Sequence, residues 1–257
     1  MRSEKEAGQM DFSVPYVYSL ERDGQSIDYF GAAHSCDPEH PQMKELKKAW
    51  ENFLEKSRDR KRIVFVEGSL RESKATEEQS ILEAGGEGGL ISFLAHQRGV
   101  DLYCPEPTSM DEVAELLKQF SKEQIAYYYF ARVVNQWHRT FKAGVPFLKY
   151  IEGHLRQDAK ELQWADFDFS LDHMKKIHRQ IFEKDFDEMD AELFYDSSNP
   201  TRRSNPISEV ARASSDIRNG HILDKIEEYW NEGYSIFIVY GSGHAVVHEP
   251  ALRTLTK

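Results

Sequence analysis

The 257 residues include two cysteines, Cys36 and Cys104. Two thiols make no disulfide framework, and a reducing compartment is the simpler reading. No uninterrupted apolar stretch approaches the roughly 20 residues that span a bilayer. Residues 1–10 carry none of the apolar core that a signal peptide needs. The expectation is therefore a cytoplasmic protein with no membrane partner. Basic residues are also short, 33 Lys and Arg against 44 Asp and Glu, for a net charge of −11. Phosphate backbones require a basic footprint, so nucleic acid is excluded as the main partner and a small molecule or peptide is expected instead. Two ligand motifs are incomplete. Asp185, Asp187 and Asp190 lack the central glycine and terminal glutamate of a calcium loop. The bend Gly85-Gly86-Glu87-Gly88-Gly89 lacks the Gly-Lys-Ser/Thr ending of a phosphate loop.

What the chain does contain is an alternation of short apolar runs and helical periods. Residues 14–30, with Arg22-Asp23-Gly24 at the centre, read as a β-hairpin. Asp37-Pro38 offers a cap for a helix carrying Leu46, Trp50, Phe53 and Leu54. Arg62–Val66 is a buried strand, residues 71–80 are a polar loop, and the glycine-rich bend opens a helix stopped by Gly99. Val100–Cys104 is a further strand, ended by Pro105-Glu106-Pro107. Residues 109–141 and 142–196 are helical in period, with Tyr127–Phe130 as packing. Residues 197–206 form a loop through two Asn-Pro steps. Ser208 caps a long helix with Gly233 as its stop, and Ser235–Tyr240 is the last buried strand. This pattern predicts an α/β (α+β) fold in one domain, 1–257. A central mixed sheet carries flanking helices, and a helical lid is inserted at about 107–207.

The chemistry concentrates at strand ends. The last strand runs into Gly241-Ser242-Gly243-His244, and the hairpin's second strand into Gly31-Ala32-Ala33-His34. This echo suggests two related halves meeting at one site. Glu67 and Glu106 also follow apolar runs, and parallel strands would collect all four residues at one edge of the sheet. Two imidazoles and a carboxylate suit a divalent ion such as zinc, manganese, cobalt or iron. His34, His244 and Glu67 are the candidate ligands, with water activated at the ion. Arg218 could stabilise an oxyanion. Glu106 could contact substrate or bond loop amides, and Glu87 could contact substrate or serve as a first-turn acid. Cys36 and Cys104 read as small buried thiols, and His154 and His248 as surface residues.

Gly31-Ala32-Ala33-His34, Val66-Glu67-Gly68, Arg218-Asn219 and Gly241-Ser242-Gly243-His244, in this order, resemble the TIKI/TraB superfamily. That group includes GumN-type proteins and, more distantly, erythromycin esterases and ChaN-type haem-binding lipoproteins. The resemblance spans about residues 26–253. It implies a sandwich of two related halves with the site between them, site roles for His34, Glu67, Arg218 and His244, and Asn219 on the substrate side. Metal-dependent peptide hydrolysis is the activity it implies first. Esterase chemistry with a histidine base and no metal, and haem or ligand binding without turnover, are the alternatives. Many relatives place an acidic residue directly before the Arg-Asn pair, whereas this chain has Ile217 there and Asp216 one step earlier.

Overall fold

The apolar runs become the strands of one five-stranded sheet in the computed structural model, which describes residues 1–140 and 144–257. The strands are β1 (Tyr16–Arg22), β2 (Gln25–Ala32), β3 (Lys61–Val66), β4 (Asp101–Tyr103) and β5 (Tyr234–Gly241), in the order β1-β2-β5-β3-β4. The last four of that order run parallel, and β1 pairs antiparallel with β2 at one edge, so the sheet is mixed. Among the described residues the helices are α1 (Glu4–Ala7), α2 (Pro41–Lys56), α3 (Glu77–Glu83), α4 (Glu87–Arg98), α5 (Ser109–Leu116), α6 (Lys122–Thr140), α7 (Phe147–Leu162), α8 (Leu171–Phe182), α9 (Ala191–Ser198), α10 (Pro206–Asn231) and α11 (Ser242–Leu255). Phe141, the expected end of one helical stretch, lies outside the described residues. No helix among the described residues is long and apolar enough to cross a membrane.

The chain divides into two compact units. The first is Met1–Glu106 with Asn219–Lys257; the second is Pro107–Arg218. In the first unit the central strands are buried on both faces, and side-chain alternation sends successive residues to opposite layers. Phe30, Val64, Val66, Phe237 and Val239 pack against Leu46, Trp50 and Phe53 of α2 and Leu90 and Ile91 of α4. Ile27, Phe65, Ile236 and Ile238 pack on the opposite face against Ile222, Ile226 and Trp230 of α10 and Leu252 of α11. The result is a helix–sheet–helix sandwich. In the second unit α5–α9 and the first half of α10 surround Ile125, Tyr127, Phe130, Met174, Phe194 and Val210. Four of its polar side chains form one hydrogen-bonded group: Tyr128 donates to Ser214 (2.9 Å), and Ser214 and Tyr129 donate to Glu112 at 2.6 and 3.0 Å.

Local capping departs from the sequence reading in three places. The cap of α2 is His40, whose Nδ1 accepts from the Gln42 amide, with Pro41 at the first helical position. The Asp37 carboxylate accepts from the Glu39 amide in a tight turn instead. The stretch expected as loop at 71–80 ends in α3, because the Thr76 hydroxyl accepts from Gln79 and two glutamates follow in the first turn. The cap of α10 is Asn205, whose Oδ1 accepts from both Ile207 and Ser208; Ser208 itself is buried and donates back to the Asn205 carbonyl. The hairpin turn forms as expected, with Asp23 and Gly24 both at positive φ.

One helix interior contains a proline. Pro250 in α11 has no N–H, so the Val246 carbonyl loses its helical donor. The Arg2 guanidinium donates to that oxygen, and the Arg2 amide donates to Val247 O at 2.9 Å. The N-terminal segment thus satisfies the backbone group that the proline leaves without a donor.

Candidate functional site

Because β2, β5, β3 and β4 run parallel, their carboxyl ends lie along one edge of the sheet. His34 follows β2, Glu67 follows β3, Glu106 follows β4, and His244 sits in the first turn of α11 after β5. Gly31 pairs with Tyr240 and Ala32 with Gly241, so the two Gly-x-x-His segments leave adjacent strands. The echo in the sequence is a neighbour relation in space. The two histidines then diverge: His244 is helical, whereas His34 sits in a loop at a left-handed φ of 53°. That conformation costs a non-glycine residue about 1–2 kcal/mol and is sustained by its bonds. Glu87 at the start of α4 binds His34 Nδ1 at 2.6 Å and the Ser35 amide at 3.2 Å, and Gln42 accepts from the Ala33 amide at 2.9 Å.

The Glu87 carboxylate accepts from Nδ1–H of His34, which leaves the neutral ring's Nε2 as an acceptor. That Nε2 faces Glu67 Oε2 at 3.6 Å. On the other side His244 Nε2 faces Glu67 Oε1 at 3.8 Å. Its Nδ1 bonds the Asn219 carboxamide oxygen at 2.7 Å. Asn219 Nδ2 donates to Glu4 at 3.0 Å, which identifies the oxygen facing the rings. The same oxygen accepts from His248 Nε2 at 2.8 Å, and His248 Nδ1 in turn accepts from the Tyr29 hydroxyl at 3.0 Å. Burial pushes the Tyr29 phenol well above the ordinary tyrosine value, with Tyr18, Tyr240, Glu67 and Glu106 adding to the effect. Both site rings therefore have Nδ1 pinned and Nε2 directed at one carboxylate.

Glu67 is positioned by the backbone of the opposite motif, since the Gly241 amide donates to its Oε2 at 2.7 Å. Gly241 also allows the ring to approach: a Cβ there would lie 2.5 Å from His34 Nε2. Side-chain exposure is 59% for His34, 26% for Glu67 and 16% for His244, so the carboxylate is reached from the His34 side. A cavity of about 240 Å³ opens there, lined by His34, Cys36, Glu67, Arg71 and Glu87 among others.

No family model, curated protein or solved structure matches this chain.

The site therefore rests on its own residues. The structure brings His34, Glu67, Glu87, Asn219 and His244 into one hydrogen-bonded and charge-facing group. Glu106 is at the same sheet edge, partly buried after β4. Glu87 serves as the carboxylate that orients His34, in addition to being a first-turn acid of α4. Asn219 sits behind the imidazole of His244, fully buried. Arg218 is the last residue of the second unit on α10, where its charge opposes the half-buried Arg132 guanidinium. His248, expected at the surface, is fully buried, because the i, i+4 spacing from His244 puts both rings on one face of α11. That spacing was the signal available in the sequence. Cys36, expected as a buried thiol, is exposed because it lies in the irregular 33–37 segment, and Cys104, directly after β4, is half-buried. Tyr29, Glu4 and Arg71 join the site without a motif to announce them.

Two imidazole nitrogens that face the two oxygens of one carboxylate leave room for a water, a proton or a cation between them. The 3.6 and 3.8 Å separations are too long for direct hydrogen bonds. They are close to the roughly 3.4 Å that separates two ligands held about 2.1 Å from a tetrahedral ion. In donor chemistry and in the pinning of both Nδ1 atoms, His34, His244 and Glu67 suit a borderline divalent metal. Among the described residues no group of three or more His, Cys, Asp or Glu is already arranged as a metal cage.

Proposed function

We propose that this chain is a hydrolase that activates water between His34, Glu67 and His244. The convergence of the two Nε2 atoms on one carboxylate supports this reading above all. A manganese, cobalt, zinc or iron ion held by these three side chains would lower the pKa of a coordinated water towards neutrality. The residues do the rest. Glu67, fixed by the Gly241 amide, accepts the proton of the attacking water. His34, held by Glu87, and His244, held by Asn219, keep their Nε2 lone pairs aimed at the reacting space. An ester, lactone or amide carbonyl entering from the exposed His34 side meets the water there.

A second reading removes the ion and is favoured by a separate observation. Glu87 and His34 form a carboxylate–imidazole pair at 2.6 Å, which is the base-and-orienter half of a hydrolytic triad. In this form His34 Nε2 takes the proton of water directly and the bond cleaved is an ester or lactone. The two readings differ in one measurement. Metal content by mass spectrometry is determined on protein purified without a metal affinity column, beside His34→Ala and His244→Ala. Near-stoichiometric metal that is lost in both variants, with chelator-sensitive hydrolysis, carries the first reading. Metal-free protein whose ester hydrolysis survives chelation carries the second. Unchanged turnover in His34→Ala, Glu67→Ala and His244→Ala would sink both.

A further inference from the structure

The glycine-rich bend before α4 has one function so far, to place Glu87 under His34. It does a second thing. Arg71, which follows β3 in the chain, lays its guanidinium on the bend. A Cβ at Gly88 would lie 2.1 Å from Arg71 Nη1, and one at Gly85 would lie 2.9 Å from Nε. Glycine in the first turn of a helix costs stability relative to alanine. Here the absent side chains form a berth for a guanidinium. Arg71 Nη1 makes a long contact of 3.4 Å to the Glu67 carbonyl oxygen. Among the described residues Arg71 makes no ion pair.

Its place explains that. Arg71 lines the same 240 Å³ cavity as His34, Glu67 and Glu87. The two carboxylates are engaged elsewhere: Glu87 holds His34 Nδ1 and the Ser35 amide, and Glu67 accepts from the Gly241 amide. A fixed guanidinium fork, half-buried and facing a cavity, matches an oxyanion that presents two oxygens, as a carboxylate or a phosphate does. The cavity is smaller than the roughly 300–1,000 Å³ of pockets for drug-sized ligands. It therefore suits a compact group. An arginine that merely neutralised the acidic wall would pair with Glu67 or Glu87, and it does not.

We propose that Arg71 is the anchor for an anionic group of the substrate, a carboxylate or phosphate oxyanion, held beside His34 and Glu67. The role of that group in presenting a cleavable bond rests on the hydrolase reading above; the anion site itself does not. It makes Arg71 a specificity residue: the substrate would be a small anionic ester or amide rather than a neutral one.

The experiment is calorimetric titration of the full chain with inorganic phosphate and, separately, with acetate. Wild type is compared with Arg71→Gln, Arg71→Lys and Gly88→Ala, each checked for unchanged thermal unfolding. The expected result is one site per chain for at least one anion, weakened about 10- to 100-fold in Arg71→Gln, the loss that a charge-assisted contact implies. Arg71→Lys keeps the charge without the fork and falls between. Gly88→Ala, which displaces the guanidinium without removing it, weakens binding as well. Binding of acetate alone assigns a carboxylate, and binding of phosphate alone assigns a phosphoryl group. No binding to wild type, or equal binding to Arg71→Gln, overturns the proposal. No turnover is needed for this readout. Anion binding without hydrolysis would reject the hydrolase and keep the anchor. Hydrolysis with no anion site, and equal KM for anionic and neutral esters in wild type and Arg71→Gln, would do the reverse.

Discussion

Replacing Gly241 by alanine separates the folding role of this position from its role in the site. Gly241 has φ −57° and ψ 147°, a conformation that alanine adopts without strain. Its N–H donates to Glu67, and alanine keeps that donor. The one new feature is a methyl group 2.5 Å from His34 Nε2 and 3.4 Å from Glu67 Oε2. Ordinary contact begins at 3.4 Å, so the ring has to move by about 0.9 Å. His34 is 59% exposed and can swing outward at little cost. The bond to Glu87 is then weakened or lost; as a partly exposed charge-assisted contact it contributes about 1 kcal/mol. In a chain of this size that lowers Tm by roughly 2–4 °C. A displacement of about 1 Å in a reacting group lowers turnover by about 10²-fold. The expected result for Gly241→Ala is therefore near-normal thermal unfolding with hydrolysis down about 100-fold, and reduced metal occupancy if an ion is bound. Scanning calorimetry and steady-state kinetics on the same preparation check both. Turnover within about twofold of wild type would refute the claim that His34 Nε2 works against Glu67 across Gly241.

Two further outcomes follow from buried polar groups. Burial raises the Asp158 carboxyl to about 6, with Glu161 adding to the rise and Arg132 opposing it. The folded state therefore holds its proton more tightly than the unfolded state, and stability falls as pH rises from about 4 to about 6. Asp158→Asn should gain about 1–2 kcal/mol over wild type at pH 7 and nothing at pH 3.5, read from urea unfolding at the two values. A gain that is the same at both would count against this assignment. Asn219→Leu leaves His244 Nδ1, His248 Nε2 and Glu4 Oε1 without the bonds that the carboxamide supplies. At about 0.5–1.5 kcal/mol per hydrogen bond removed, the loss should reach about 1.5–4.5 kcal/mol. A shift below about 1 kcal/mol in urea unfolding would show that the network contributes little.

The sheet was legible because its signal is local and one-dimensional. Ser235–Tyr240 and Arg62–Val66 are apolar without interruption, which only a strand covered on both faces needs, and both became central strands. The hairpin was legible because Asp23-Gly24 supplies two positive-φ residues between β-formers. Caps were read less well. Asp37 and His40, or Asn205 and Ser208, are a few residues apart and chemically interchangeable, and the winner is decided by where the backbone can present its amides. The strand-end group of His34, Glu67 and His244 was visible as a pattern, while its supports were not. Glu87 looked like any first-turn acid, because nothing in a sequence reports that a carboxylate 53 residues from a histidine lies 2.6 Å from its ring. Arg71 stood in a polar stretch, and the glycines that berth it resembled a flexible bend.

The supports also account for the difference between the two motifs. His244 enters through a helix, which fixes its backbone, and Asn219 holds its ring and sets its tautomer. His34 enters through a loop in a strained conformation, so its position depends on Glu87, Gln42 and the space left by Gly241. A site built this way has one rigid half and one adjustable half facing the same carboxylate. The adjustable half is the exposed one, and it adjoins the cavity where Arg71 waits. Substrate that binds there touches the side of the site that can move. The cost of ordering His34 is then lowered by binding itself, because anything that holds the ring inward relieves its conformational freedom before reaction.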